Sequence, residues 1–232
     1  MPTESQVHPL KDGSSITIHK DTVTRGDESY HRYYTDSDPT QLPSVSTIAK
    51  PADGNLFSVG SKWATRIIRE SGGDVDAPRR VGDEARDIGT KLHNDIDQFI
   101  TGKEVAEDNP LFVHWMNHCV GHRKWLASEQ MIIVPGGYGG TADAFSMEES
   151  GLCLWDWKTV TSKRKPYAST IAQMGGYTKA LREMGSVYAP DIAYVAMVSR
   201  DATWSELYPV DLVEAVKLFE VLLKLYRELK NK

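Results

Sequence analysis

The chain has 232 residues, 40% hydrophobic and 25% charged, the proportions of a soluble globular protein able to bury one sizeable core. Its formal net charge of -5 excludes a general DNA-coating protein, whose affinity comes from many phosphate contacts, and its two cysteines, Cys119 and Cys153, exclude a four-cysteine iron–sulfur cluster and a disulfide framework. No apolar run reaches transmembrane length and Met1-Pro-Thr-Glu-Ser5 is not a signal peptide, so a cytoplasmic location without a membrane partner is expected.

No linker-like run demands two domains, and residues 1–80 are expected to form an extension packed on a core over 81–232. Tyr30-His-Arg-Tyr-Tyr34 alternates like a short strand, and Lys62, Arg66 and Arg69 lie close to one face of an expected helix. Tyr33, Tyr34 and Trp63 are able to stack on unpaired bases, although packing is the commoner use of such rings. Val81, Ala85, Ile88, Leu92, Ile96 and Phe99 recur at helical spacing, which puts His93 at the border between a buried stripe and solvent. Gly89, one turn earlier, leaves room for a strand or an ion. A further helix is expected between Leu111 and Ala127, with Phe112, Trp115, Cys119 and Leu126 inward and His114, His118 and His122 along its polar side. That i, i+4, i+8 stripe suits a zinc ion, but no glutamate completes a His-Glu-x-x-His arrangement.

Glu129 to Val134 is apolar and β-branched, Gly136, Gly137, Gly139 and Gly140 allow a turn, and Thr141 to Met147 alternates, which predicts two strands. A third, from Leu152 to Lys158, places Leu154, Asp156 and Lys158 on one face and Cys153, Trp155 and Trp157 on the other. Antiparallel pairing through Glu148-Glu149-Ser150-Gly151 then brings Asp143 opposite Asp156 and Lys158. Two carboxylates and a lysine gathered this way suit phosphodiester hydrolysis, in which Mg²⁺ or Mn²⁺ on hard oxygen ligands activates water and relieves charge. Asp-x-Lys alone is more often an exposed ion pair. Glu129, at the start of the first strand, is placed to orient a ligand or water from outside the ligand set.

Lys163, Arg164 and Lys165 follow the third strand directly and form a local positive cluster suited to a nucleic-acid backbone. Gln173 and Tyr177 are one turn apart on a helix that begins after Pro166. Between them Gly175 and Gly176, poor helix formers, suit the close approach of another backbone or of DNA. Ile192 to Ser199 reads as a buried strand and Ser205 to Pro209 as a short one. Asp211 caps a helix to Leu229 with Val213, Val216, Phe219, Val221, Leu222 and Leu225 as its apolar face.

Four pieces in this order, Gly89-Thr-Lys-Leu-His93, Gly140-Thr-Ala-Asp143, Asp156-Trp-Lys158 and Gln173-Met-Gly-Gly-Tyr177, resemble the PD-(D/E)XK nuclease superfamily. The last piece is similar to the QxxxY motif of its RecB-like branch, and the resemblance spans roughly residues 82 to 200. It implies an α/β (α+β mixed) fold with a restriction-endonuclease-like αβββαβ core, a mixed sheet flanked by helices. Leu42-Pro-Ser-Val-Ser-Thr-Ile48 is similar to the segment that precedes this core in phage and mitochondrial members. By the same resemblance His93, Asp143, Asp156 and the backbone carbonyl of Trp157 hold one or two Mg²⁺ or Mn²⁺ ions. Lys158 serves the attacking water and the transition state, and Gln173 and Tyr177 line the cleft.

The activity so implied is a DNA exonuclease that hydrolyses by direct in-line attack of water. It would favour single-stranded or resected ends, in recombination, end processing or replication, beside a strand-annealing recombination protein. The alternatives are an endonuclease of the same fold, a non-catalytic DNA-binding or scaffold module, and a zinc hydrolase built on His114, His118 and His122.

Overall fold

The computed structural model describes residues 4–25, 28–54, 56–105, 108–120 and 123–230. Glu4–Pro9 (β1), Ser15–Arg25 (β2), Glu28–Thr35 (β3) and Leu42–Pro43 (β4) pair in chain order as an antiparallel sheet. Ser44 then caps a short helix, Val45–Ala49 (α1), accepting the Thr47 N–H at 3.1 Å. A 3₁₀ turn over Lys50–Asp53 leads to Leu56–Glu70 (α2) and Ala77–Ile100 (α3). Because α3 starts at Ala77, the boundary expected at residue 80 falls inside its first turn.

Pro110–Trp115 (α4) runs into a π turn, Met116–Val120, before the second sheet begins. That sheet contains Lys124–Val134 (β5), Tyr138–Glu148 (β6), Gly151–Val160 (β7), Ile192–Ser199 (β8) and Ser205–Pro209 (β9), in that spatial order. Only β7 and β8 pair in parallel, joined by the crossover helix Ala168–Glu183 (α5), and Leu212–Lys230 (α6) closes the chain. The mixed α+β fold with a helix, three strands, a helix and a strand is the order the sequence predicts.

The sheet is a divider between two apolar layers. On one side Ile132, Phe145, Leu154 and Val195 meet α1, α5 and α6 through Val45, Met174 and Phe219. On the other, Trp155, Trp157 and Ala196 meet α3 and α4 through Leu92, Ile96, Phe112 and Trp115. The alternation expected along β7 is therefore what sorts its side chains, since Leu154 lies in the first layer and Cys153, Trp155 and Trp157 in the second.

Two local expectations fail. The helix expected from Leu111 to Ala127 stops in the π turn, and Lys124, Trp125 and Ala127 instead pair with Met147, Ser146 and Phe145. The long strand β6 offers backbone groups that only an equally long partner satisfies. Leu126 is consequently exposed rather than inward. Of the histidine stripe, the rings of His114 and His118 lie side by side, 4.6 Å apart, while His122 and the Cys119 side chain lie outside the described residues. In α6 the buried residues are Leu212, Ala215, Phe219, Leu222 and Leu223, whereas Val213, Val221 and Leu225 face out. Asp211 caps it as expected, accepting the N–H groups of Val213 and Glu214 at 3.0 and 3.1 Å. Among the described residues no helix is long and apolar enough to cross a membrane.

Gly175 is where α5 and α6 touch backbone to backbone, because a Cβ there would stand 2.0 Å from the carbonyl oxygen of Ala215. Gly60, within α2, has nothing within 4 Å of such a Cβ. Gly175→Ala is therefore expected to destabilise the fold by about 1–3 kcal/mol through overpacking, and Gly60→Ala to stabilise it by up to about 1 kcal/mol through helix propensity. Urea denaturation of both variants checks this; equal effects would show that the α5–α6 contact is not a tight one.

Candidate functional site

The ladder between β6 and β7 runs from Glu148↔Gly151 to Ala144↔Trp155 and stops there. One residue further along, the carboxylate of Asp143 takes the place of a strand carbonyl and accepts the Trp157 N–H at 2.9 Å. This bond ties Asp143 to the residue that separates Asp156 from Lys158 and brings its charge close enough to act on both, opposite the pair as the strand pattern predicts. Asp156 is fully buried, and the Lys158 ammonium sits 2.8 Å from each of its oxygens, donating to Oδ1. Burial and the nearby Asp143 charge push the Asp156 carboxyl up to about 6 despite that ammonium. Burial works against the Lys158 charge, but Asp156 and Asp143 outweigh it and raise its pKa above the usual lysine value. Lys158 is thus an ammonium here.

His93 reaches the same place from α3. Its Nε2 lies 3.1 Å from the Trp157 carbonyl oxygen, and its Nδ1 is 3.7 Å from both Asp143 and Glu129. Burial disfavours the imidazolium, yet the charge of Asp143 and the Glu129 carboxylate prevail and hold its pKa at about 9. Gly89, one turn earlier, faces the Thr159 hydroxyl, 3.5 Å from where a Cβ would be, so its small size serves the packing of α3 against β7.

Glu129 belongs to the site more closely than the sequence suggests. It has a φ of 46°, a left-handed conformation that costs a non-glycine residue about 1–2 kcal/mol. Ser128 and Gln130 on either side stay in register with Ala144 and Ala142, so the distortion is confined to the one residue that turns its carboxylate toward His93. Nothing in the composition of β5 signals this, because a glutamate entering a strand is ordinarily solvated.

Single ligand atoms of His93, Glu129 and Asp143 lie within 4.8 Å of one another, a spacing able to hold a metal ion. The donor set, one imidazole and carboxylate oxygens, fits Mn²⁺ or Mg²⁺. Beside it, Asp156 Oδ2 is buried with the Lys158 ammonium 2.8 Å away, and a carboxylate oxygen keeps a further lone pair for an electropositive partner. The Trp157 carbonyl oxygen is brought to the same place by its contact with His93.

On the α5 side, the Gln173 amide donates to the Tyr177 hydroxyl at 2.6 Å. Tyr177 is buried, and burial together with the Asp143 charge keeps its phenol well above its usual pKa, so it remains a protonated group facing the carboxylates. Gly140 makes room for it: a Cβ there would lie 2.7 Å from the Tyr177 ring. Gly139 likewise accommodates Tyr33, whose hydroxyl reaches Thr141 at 3.1 Å. Buried Tyr33 is a packing residue and not a base-stacking one.

The basic cluster leaves the end of β7 as an exposed segment, with Lys163 over the Trp204 ring and Arg164 stacked 3.7 Å above the centre of the Tyr167 ring. Lys165 is exposed. On α2, Lys62, Arg66 and Arg69 line a shallow groove with Ser61 and Thr65.

No protein-family model and no curated protein matches this chain. Among solved structures it is similar to the crystal structure of SSO0001, at 15% identity and a TM-score of 0.37 over 78% of this chain and 75% of that one. A likeness of that strength carries no inference about fold or activity.

His93 holds its proton more tightly in the folded chain than at its ordinary value of 6.5. Its contribution to stability is therefore complete below pH 6.5 and is lost as pH rises toward about 9. Denaturation of the metal-free protein in EDTA across this range is expected to show declining stability, with the decline reduced in His93→Gln. Matching pH profiles for the two chains would show that the carboxylates do not hold the imidazolium.

Proposed function

We propose that this chain is a divalent-metal-dependent nuclease of the RecB-like PD-(D/E)XK kind, acting on DNA in the cytoplasm. The observation that carries the reading is the convergence of His93, Glu129 and Asp143 within ligand reach, next to the buried pair of Asp156 and Lys158. The match in sequence to His, Gly-x-x-Asp, Asp-x-Lys and QxxxY, in that order, supports it.

His93, Glu129 and Asp143 would hold the metal, with Asp156 Oδ2 and the Trp157 carbonyl as adjoining oxygens. Mg²⁺ or Mn²⁺ there supplies Lewis acidity toward the phosphate and acidifies a water for in-line attack. The imidazole ligates only after giving up the proton that its neighbours favour. Lys158, held charged by Asp156, is suited to donating a hydrogen bond to the attacking water or a non-bridging oxygen, where an oriented cation offsets developing charge. This favours an electrostatic and orienting role over that of a general base. Tyr177, protonated and fixed by Gln173, offers a hydrogen-bonding wall on the α5 side.

Lys163, Arg164 and Lys165 carry the strand beyond the scissile bond in this reading, and the Arg164–Tyr167 stack offers a face to an unpaired base. An exonuclease is favoured over an endonuclease by the resemblance alone, as are single-stranded or resected ends and a strand-annealing partner.

The test is degradation of end-labelled single-stranded, blunt duplex and closed circular DNA in Mg²⁺, Mn²⁺ or EDTA. Linear DNA is expected to be lost only with metal and circles to survive, with Asp156→Ala or Lys158→Ala lowering the rate by at least about 10²-fold. Cut circles would make the enzyme an endonuclease; intact DNA with either metal would overturn the catalytic reading.

A further inference from the structure

Along β1 the side chains alternate, so that Gln6 and His8 face inward while Ser5 and Val7 face solvent. His8 is buried and anchors the strand through Ser186, its Nε2 lying 2.7 Å from the hydroxyl. His8 also interacts with the Met131 backbone, and Gln6 reaches the same stretch of β5. Its amide nitrogen donates to the Glu129 carbonyl oxygen at 3.3 Å, and its amide oxygen accepts the Met131 N–H at 2.5 Å. One carboxamide thereby takes both backbone groups that flank Gln130, as a neighbouring strand would.

The residue it grips is the strained one. Glu129 is one of two described non-glycine residues with positive φ, and its carboxylate is 3.7 Å from His93 Nδ1. A conformation of this kind persists only where its surroundings over-determine it. On the other side Ser128 donates to Asp97, one turn beyond His93 on α3, so that the chain is tied down both before and after Glu129. Without Gln6, rotation at residue 129 would relieve the strain and swing the carboxylate away from His93 and Asp143.

We infer that Gln6, more than 120 residues away in sequence, is a positioning residue for the metal ligand Glu129. The inference rests on the metal site proposed above and adds to it a residue from the N-terminal sheet. Partners that orient a ligand typically change metal affinity by about 10- to 100-fold when removed.

The experiment is calorimetric titration with Mn²⁺ of the full chain and of Gln6→Met, Gln6→Ala, Glu129→Ala and the double variant Gln6→Met with Glu129→Ala, each checked for folding by circular dichroism. Gln6→Met keeps the side-chain length while removing both hydrogen bonds. It is expected to weaken Mn²⁺ binding by about tenfold or more, and to add little once Glu129 is already alanine. His8→Gln, which disturbs the anchoring of β1 at Ser186 without touching Glu129, is expected to leave Mn²⁺ affinity unchanged. Should Glu129→Ala weaken binding while both folded Gln6 variants bind like the native chain, the inference is overturned and the metal site stands. An equal loss in His8→Gln would also overturn it, by showing that β1 acts as a whole. Absence of Mn²⁺ binding by the native chain would sink the metal site itself.

Discussion

A carboxylate with no exposure to water, that of Asp156, is the constraint around which the site is arranged. An isolated buried charge is expensive enough that a group normally neutralises unless paired. Here the upward push of burial on Asp156 is opposed by the Lys158 ammonium two residues along the same strand. Period-two alternation is what puts the pair on one face, and the parallel pairing of β7 with β8, which continues past Asp156 and Lys158, is what keeps it there. Removing Lys158 would leave Asp156 buried and unmatched, whereas half-buried Lys158 would keep the charges of Asp143 and Glu129 beside it.

The same strand must also be open to ligands, and this is achieved by interrupting its pairing with β6. Asp143 replaces a main-chain acceptor at the interruption, so satisfying the Trp157 N–H and presenting a carboxylate are one act. The N-terminal third then supports the opening. Tyr33 leans on Gly139 and bonds Thr141, α1 packs against the residues flanking Gly140, and Gln6 secures the turn at Glu129. These segments are the floor and side wall of the site. An extension added merely for surface coverage would have no reason to place its polar side chains on the backbone of β5.

Legibility in the sequence followed how local each cause is. β8 is legible because a continuous apolar run between turn residues leaves few alternatives, and Asp156 with Lys158 follows from alternation alone. Asp143 was placed by a hairpin register that its turn residues enforce. The failures arose where partners remote in sequence decide. Lys124 to Ala127 looks helical by its neighbours, but β6 claims it; Val213 and Val221 look buried by hydropathy, but the contact at Gly175 fixes which side of α6 turns inward. The turn at Glu129 is illegible for the same reason, since the contacts around it come from Gln6 and Asp97, remote in sequence. Gly175 and Gly176 suit either DNA or a neighbouring element by sequence alone, and it is the Ala215 backbone that meets Gly175 and the Phe219 and Val45 side chains that meet Gly176.

Charge counting constrains what the site accepts. Asp143, Asp156 and Glu129 bring three negative charges against Lys158 and a protonated His93, so the set is nearly balanced without any ion. The fold therefore does not need metal to assemble, unlike small domains in which ligation itself drives folding. In the proposed metal site, exchanging the His93 proton for one divalent cation would make the set neutral, a modest electrostatic change. A second divalent cation would leave an excess of two positive charges in a largely buried place, which is unfavourable unless an anion arrives with it. A phosphodiester is such an anion. On the proposed nuclease reading, electrostatics thus favours one resident ion, with any second one entering together with a phosphate.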